Sequence, residues 1–187
     1  RRGDRRHRRG AEYTRTHVTR GGRVLRDYLR QVGMADFAGS CAAVLHFTGY
    51  ERPISAIRVA RPVYRLIGSL LGAADIIAQM SDRCYLEKCH ERLYPEFVEG
   101  GIARRRTETG EEVLFHSPDD LIRKTPAFFV GARNRLEKDL GGAHGYAEAH
   151  FDGPNLYQAE IDRNMNFLRE TIETADFSRL RRSCYSL

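Results

Sequence analysis

The sequence lacks an apolar run long enough to span a membrane, which needs roughly 20 residues in succession. It also lacks the charged start, apolar centre and small-residue cleavage site of a secretory signal peptide. We therefore expect a soluble, cytoplasmic protein with no membrane partner. Internal repeats are absent too. A chain of 187 residues with 41% hydrophobic content predicts one domain, with a core large enough to need no disulfide or metal staple.

Cysteines are few, and their spacing is not that of a structural zinc site. Cys84 and Cys89 are separated by four residues rather than two, and no second pair follows. Cys41 lies in an apolar helical run, as a small core residue would. We expect these thiols, together with that of Cys184, to be reduced and structural.

Excess positive charge is scarce outside the N-terminus, although the whole chain carries a net charge of +6. Residues 1–9 hold six arginines and one aspartate, a net charge of +5, which leaves +1 for the remainder. Such a run is typical of a flexible, solvated arm, and contact with nucleic acid or anionic lipid is the alternative. We assign residues 1–10 to this basic arm, 11–175 to a helical domain and 176–187 to a C-terminal tail.

Helical spacing of apolar residues runs through most of the chain, and no segment alternates like a strand over a useful length. The spacing and its Gly, Pro and Asp boundaries predict long helices at about 12–32, 36–47, 62–80, 84–98 and 154–174, and two more between 117 and 140. The charged segment 100–115 is expected to be an exposed loop whose arginines could meet a phosphate. The fold class is therefore all-α, a single-domain helical bundle.

Three polar residues lie near apolar faces of three successive helices. His17 is expected to face inward on the first helix, His46 ends the second, and Asp75 lies in the most apolar part of the third. An unpaired charge there costs several kcal/mol, so Asp75 needs a cation, a hydrogen-bond cluster or a metal ion beside it. A satisfied core histidine explains His17 as well, and a helix C-terminal cap explains His46. Imidazole and carboxylate are also suitable ligands for one shared zinc, iron, manganese or nickel ion.

The order and setting of these residues resemble the HD-domain superfamily of metal-dependent phosphohydrolases. VLHFTGY at 44–50 is similar to the segment around the family's His-Asp doublet. LLGAADIIAQMSD at 70–82 is similar to the helix that carries its last metal-binding aspartate. The resemblance covers roughly residues 12–98, and IIAQM and CYLEK resemble segments that recur in a bacterial branch of the superfamily. It implies an HD-like helical fold.

The resemblance further implies that His17, His46 and Asp75 bind a divalent metal ion, with Mn, Fe, Ni, Zn and Mg not distinguished. One position departs from the family pattern: Phe47 stands where the family has the aspartate of the doublet, and a phenyl ring cannot coordinate an ion. Two-metal chemistry, which needs ions about 3.5–4 Å apart, is therefore doubtful. A single ion bound by two imidazoles and one carboxylate is chemically reasonable.

Two functions follow from this interpretation. The first is metal-dependent hydrolysis of a phosphate ester or nucleotide at an incomplete metal site, by water whose pKa the ion lowers. The second is a catalytically silent HD-like domain that binds a metal, a nucleotide or a protein partner in the same pocket. In both, the loop residues Arg52, Arg58 and Arg61 are candidates to bind the phosphate of a small ligand, although simple solvation also explains them. No catalytic residue is assigned, and the acidic candidates for proton transfer are Asp82, Glu87 and Glu91.

Overall fold

The computed structural model describes residues 10–108 and 110–181, and within these ranges the fold is all-α with one small β-hairpin. The fold class predicted from the sequence is thereby confirmed. The basic arm at 1–9, the last part of the C-terminal tail and Cys184 lie outside the described residues. The three described cysteines are free thiols, and Cys84 and Cys89 are buried.

The helices follow one another along the chain with short connections. They are α1 (His17–Gln31), α2 (Ala35–Leu45), α3 (Pro62–Ser81), α4 (Tyr85–Lys88), α5 (Tyr94–Glu99), α6 (Pro118–Asn134), α7 (Tyr146–Phe151) and α8 (Leu156–Thr174). A π-helical turn at Cys89–Leu93 joins α4 to α5, and another at Arg135–Asp139 extends α6. Short 3-10 turns lie at Gly10–Tyr13, His46–Thr48, Ile54–Ala56, Ala143–Gly145 and Phe177–Arg179.

Helices α1 and α2 form a hairpin that turns at Gly33, whose φ of 79° is favourable only for glycine. The inward face of α1 differs from the predicted one. Val24 and Tyr28 are 70% and 57% exposed, whereas Gly22 and Leu29 are buried. A Cβ atom at Gly22 would lie 3.5 Å from the carbonyl oxygen of Ala42, an ordinary contact distance, so α1 packs directly against α2 at this position.

The helix α3 has almost the predicted bounds, but it is not buried on most sides. One face, with Gly68, Gly72 and Ile76, lies in the core. The opposite face, with Ile67 and Leu71, is exposed although it is apolar. The sequence could not show this, because an apolar helix with two unlike faces has the same composition as one buried all round.

Asp75 lies at the border between these two faces of α3 and is half-buried. Its carboxylate therefore retains contact with solvent, and the several kcal/mol expected for an unpaired charge deep in the core do not apply in full. A compensating metal ion is not required by burial alone.

The segment 100–115 is not a loop, because it folds into a two-stranded antiparallel hairpin. Strand β1 (Arg104–Thr107) pairs with β2 (Gly110–Val113). Opposite charges face each other across it, with Arg105 Nη2 2.6 Å from Glu112 Oε2 and Arg104 Nη1 3.1 Å from Glu111 Oε2. Cross-strand ion pairs of this kind compensate for the lack of alternating apolar residues.

A single helix, α6, replaces the two helices predicted between 117 and 140. Ser117 caps its start by accepting a hydrogen bond from the Asp120 amide at 3.1 Å. Pro126 lies inside the helix rather than starting a new one. The same capping chemistry begins α8, where Asn155 Oδ1 accepts from the Gln158 amide at 3.2 Å.

The core lies where α3, α6 and α8 meet the turn at His46–Thr48. Fully or almost fully buried side chains there include Phe47, Leu86, Ile122, Leu140 and Leu168. Asn164 of α8 donates to the carbonyl oxygens of Met80 and Asp82, at 2.8 Å each, and so ties the end of α3 to α8. Leu180 is also buried against this core, so the start of the predicted tail packs on the domain.

By length and composition, α3 could cross a membrane. Its mean hydropathy is 1.2 over an 18-residue window, of which 33% is buried in the fold. One such helix is weak evidence, because core helices of soluble proteins have the same composition. The cytoplasmic location expected from the sequence stays a prediction.

Candidate functional site

The turn that follows α2 is the centre of the candidate site, because it touches α1, α2 and α3 together. Phe47 points from this turn into the core and is fully buried. Its ring fills the space above Gly68, and its carbonyl oxygen would lie 2.5 Å from a Cβ atom at Gly72. The residue at the second position of the expected His-Asp doublet is therefore a packing residue in this fold.

His46 points away from Phe47, towards α1. A Cβ atom at Gly22 would lie 3.8 Å from His46 Nε2, an ordinary contact distance, so the imidazole packs against α1 at this glycine. The other ring nitrogen, Nδ1, is buried and has no hydrogen-bond partner among the described residues. Leaving such an atom unpaired costs free energy.

Two arginines lie within electrostatic reach of this imidazole. Burial lowers the pKa of His46, and the guanidinium of Arg52 lowers it further. Arg26, on α1, acts in the same direction, whereas Glu51 opposes both by raising the pKa of the histidine. The net effect favours a neutral imidazole beside two permanent cations.

Glu51 is committed to helix capping. Its carboxylate accepts hydrogen bonds from the amides of Val18 at 2.9 Å and Thr19 at 3.1 Å, and from the Thr19 hydroxyl. Burial opposes ionisation of Glu51, but these hydrogen bonds outweigh it and lower the pKa of the carboxyl group. Glu51 therefore supplies the cap that Thr16, at the N-terminus of α1, does not provide.

A buried guanidinium supports the turn from its other side. Arg135, in the π-helical turn after α6, is 7% exposed. Its Nη2 donates to the carbonyl oxygens of Phe47 at 2.9 Å and Gly49 at 2.6 Å. The ring of Tyr50 lies over the guanidinium, with its centroid 4.2 Å from Cζ. The backbone of the candidate site is thus held by a side chain 88 residues away.

The Tyr50 hydroxyl lies within electrostatic range of Asp75 as well as of this guanidinium. Loss of solvent raises the pKa of the Tyr50 hydroxyl, Arg135 opposes the rise, and Asp75 and Asp139 add to it. Asp75 forms no ion pair within the part of the chain that the structure describes.

The three metal ligands implied by the resemblance are not brought together. His17 is exposed at the start of α1, where its Nδ1 lies 2.7 Å from the carbonyl oxygen of Thr14. The expectation that it faces inward is therefore wrong. Among residues 10–108 and 110–181, no three His, Cys, Asp or Glu side chains form a group that could hold a metal ion. As arranged, His17, His46 and Asp75 do not fit one ion, and the metal site stays a prediction from the resemblance.

The three arginines proposed to bind phosphate are all exposed, and only Arg52 is linked to His46. Arg58 and Arg61 lie further along the segment that leads to α3. Sequence reasoning missed Arg26, although its position four residues after Gly22 on α1 places both on one face. It also missed Arg135, for which the sequence around the π-helical turn carries no signal.

The acidic candidates for proton transfer have other roles or lie elsewhere. Asp82 accepts from the Cys84 amide at 2.8 Å and pairs with Lys88. Glu87 is 2% exposed in α4, and Glu91 is exposed in the π-helical turn that follows. None of the three is linked to His46 by a contact that the structure describes.

A cavity of about 630 Å³ lies between α6 and α8, away from the His46 turn. Buried Phe129 and Ile161 line it, with exposed Arg133 and Arg169. His144 also lines it, with Nε2 3.3 Å from Glu137 Oε1 and a buried Nδ1 that has no partner among the described residues. Because its lining carries both signs of charge, the cavity does not select a ligand by charge.

Comparison of the chain with family models, curated proteins and solved structures gives no match. Functional assignment therefore rests on the residues of the His46 turn and on their surroundings.

Proposed function

We propose that this protein is an HD-like helical domain that binds a small phosphorylated molecule or nucleotide at the His46 turn, without metal-assisted hydrolysis. One observation carries the proposal: Arg26 and Arg52 act on a half-buried imidazole whose Nδ1 lacks a partner among the described residues. Two guanidinium groups beside this imidazole form a donor set suited to a phosphate, since arginine binds phosphate oxygens bidentately.

The position of Phe47 supports binding rather than hydrolysis. The side chain is fully buried, so the second member of the expected doublet faces the core and not a ligand. With His17 exposed as well, the described residues offer no three-ligand metal group. We therefore derive no hydrolytic step.

The test is a binding experiment with inorganic phosphate, pyrophosphate, AMP, ATP and GTP, using calorimetry and thermal unfolding. At least one of them is expected to bind, and Arg52→Gln and Arg26→Gln are each expected to weaken it by about tenfold, the value of one charge-assisted hydrogen bond. Arg23→Gln is the matched control, because Arg23 is exposed on the same helix and does not act on His46. Failure of the whole panel to bind at millimolar concentration would refute the proposal.

Hydrolysis with a single metal ion is the second candidate, favoured by the resemblance and by the unpartnered nitrogen of His46. Metal analysis of the purified wild type and of Asp75→Asn distinguishes hydrolysis from binding alone. Two results together would refute binding without catalysis and support hydrolysis. The first is stoichiometric Mn, Ni, Fe, Zn or Mg that is lost in the variant, and the second is turnover of a phosphodiester or nucleotide.

A further inference from the structure

The exposed side of α3 carries no polar residue over more than three turns. From position 66 to position 78 the exposed residues of this helix are Leu66, Ile67, Leu71, Ala74 and Ala78. Leu66, Ile67 and Leu71 are 46%, 44% and 39% exposed, and Val63, one turn earlier, is 50% exposed. A helix that is apolar on all sides is normally buried on all sides.

The spacing of this surface is that of a helix–helix contact. Ile67, Leu71, Ala74 and Ala78 follow one another at intervals of four, three and four residues. This is the alternation by which one helix presents a continuous seam to another in coiled-coil packing. A helix that lies along α3 would fit this spacing.

The sizes of the side chains favour a second copy of α3 in the antiparallel direction. Large residues occupy the first half of the seam, and alanines occupy the second half. When two copies run antiparallel about a two-fold axis at Leu71, each Ile67 faces the partner's Ala74 and each Val63 faces the partner's Ala78. Large side chains then fill the space that small ones leave, whereas a parallel pair would set large against large and alanine against alanine.

Charge at the ends of α3 agrees with this direction. Arg61 lies at its N-terminal end and is exposed, whereas the Arg65 guanidinium donates to the Ile57 carbonyl oxygen of its own chain at 2.8 Å. In an antiparallel pair each Arg61 approaches the C-terminal end of the other helix, which is the negative end of the helix dipole. A parallel pair would place the arginines of both copies together.

The apolar area is of the right order. The four seam residues and Val63 present roughly 300 Å² of apolar surface, which is in the range of the largest patches on monomeric proteins. A standard interface buries roughly 800 Å² per partner, of which a little more than half is non-polar. The face of α3 therefore supplies most of the apolar share of such an interface.

We propose that the protein forms a two-fold symmetric dimer through the exposed face of α3, with the two helices antiparallel and Leu71 at the axis. Such an interface is isologous, because the same residues are contributed by both copies. It is independent of the ligand proposed for the His46 turn.

Sedimentation of the full chain over a range of concentrations tests the dimer. The wild type is expected to be dimeric, and Leu71→Glu and Ala74→Glu are each expected to raise the dissociation constant by at least about tenfold. Ala74 is exposed and small, so its variant keeps the test valid even if Leu71→Glu folds poorly. Val130→Glu is the control, because Val130 is 63% exposed on α6.

Cysteine cross-linking tests the direction of the helices. Leu71→Cys is expected to form a disulfide-linked dimer under mild oxidation, and a mixture of Ile67→Cys with Ala74→Cys is expected to form a linked heterodimer. Ile67→Cys alone is expected to remain unlinked, and the wild type gives the background from the natural cysteines. Linkage of Ile67→Cys to itself, at the level seen for Leu71→Cys, would indicate a parallel pair and refute the proposal.

A membrane is the other occupant that this apolar helix could accept. Flotation with vesicles of phosphatidylcholine and phosphatidylglycerol distinguishes it. We expect the wild type to remain in the soluble fraction. A wild type that stays monomeric at every concentration, or one that floats with vesicles and ceases to do so as Ala74→Glu, would overturn the dimer.

Discussion

The ring of Phe47 lies directly against the backbone of Gly68, so that a Cβ atom at Gly68 would come within 2.5 Å of Phe47 Cδ2. The Phe47 ring therefore leaves no space for a side chain at position 68 of α3. This contact fixes the turn after α2 on α3, and with it the direction in which His46 points.

Gly68→Ala is expected to destabilise the protein by about 1–2 kcal/mol, because overpacking of the Phe47 ring outweighs the gain in helix propensity. Gly39→Ala is the matched control. Gly39 lies in α2 with no atom near its missing Cβ, so the same substitution is expected to stabilise by about 0.5–1 kcal/mol. Urea unfolding measures both. Equal effects of the two substitutions would show that the ring does not press on Gly68.

Phe47→Asp, which restores the doublet in sequence, is not expected to restore a metal site. It removes a buried ring, which costs about 3–5 kcal/mol, and places a carboxylate in the core. We expect it to be largely unfolded by circular dichroism, whereas Phe47→Leu folds with a loss of about 1 kcal/mol. A folded Phe47→Asp variant that retains a metal ion through gel filtration would show that this position faces a binding site.

Arg135→Met is expected to cost about 2–4 kcal/mol, because the buried carbonyl oxygens of Phe47 and Gly49 lose their shared donor. Arg135→Lys keeps the positive charge but lacks the planar guanidinium. Its stability is expected to lie between that of the wild type and that of Arg135→Met. Arg133→Met, at an exposed position on α6, is expected to change the free energy of unfolding by less than about 0.5 kcal/mol. Urea unfolding checks the order, and an Arg135→Met variant as stable as Arg133→Met would contradict it.

The cap formed by Glu51 makes the stability of the fold depend on pH in the acid range. Because the pKa of Glu51 is lowered on folding from its usual 4.5, the carboxylate stabilises the fold above that value and loses its effect as pH falls through the folded pKa. Glu51→Gln is expected to cost about 1 kcal/mol near pH 7, with the difference from wild type shrinking as pH falls through the folded pKa of Glu51. Urea unfolding across this range measures it.

Glu173→Gln is the control for this experiment, since Glu173 is exposed on α8. Its effect is expected to be small at every pH. A loss for Glu51→Gln that stays constant down to pH about 3 would assign Glu51 to packing rather than to charge.

Helices with strong boundaries were predictable from the sequence. Pro62 at the start of α3, Ser117 before α6 and Gly33 after α1 each have one dominant local preference, and the structure follows it. The hairpin at Arg104–Val113 was not predictable from apolar spacing, because ion pairs across the strands stabilise it. The π-helical turns were not predictable either, since they depend on contacts with distant helices.

The candidate site was predictable only in part. His46 could be recognised because a histidine at the end of an apolar helix needs a defined environment. Glu51 and Arg135 could not, because their partners lie 32 to 88 residues away and no local pattern links them. His17 was placed on the wrong face of α1, because Val24 and Tyr28, the apolar residues expected to share its inward face, are exposed.

The hydrogen bonds of Arg135 and Asn164 also bear on how the chain folds as it is synthesised. Each connects parts of the chain more than 80 residues apart. The carbonyl groups of the turn after α2 therefore lack their donor until the π-helical turn after α6 has been made, and those at the end of α3 lack theirs until α8 has been made. Contacts of such separation slow folding and leave apolar surface exposed to the solvent in the meantime. We therefore expect that the first half of the chain, up to α5, is held unfolded or chaperone-bound on the ribosome and is not an autonomous unit when expressed alone.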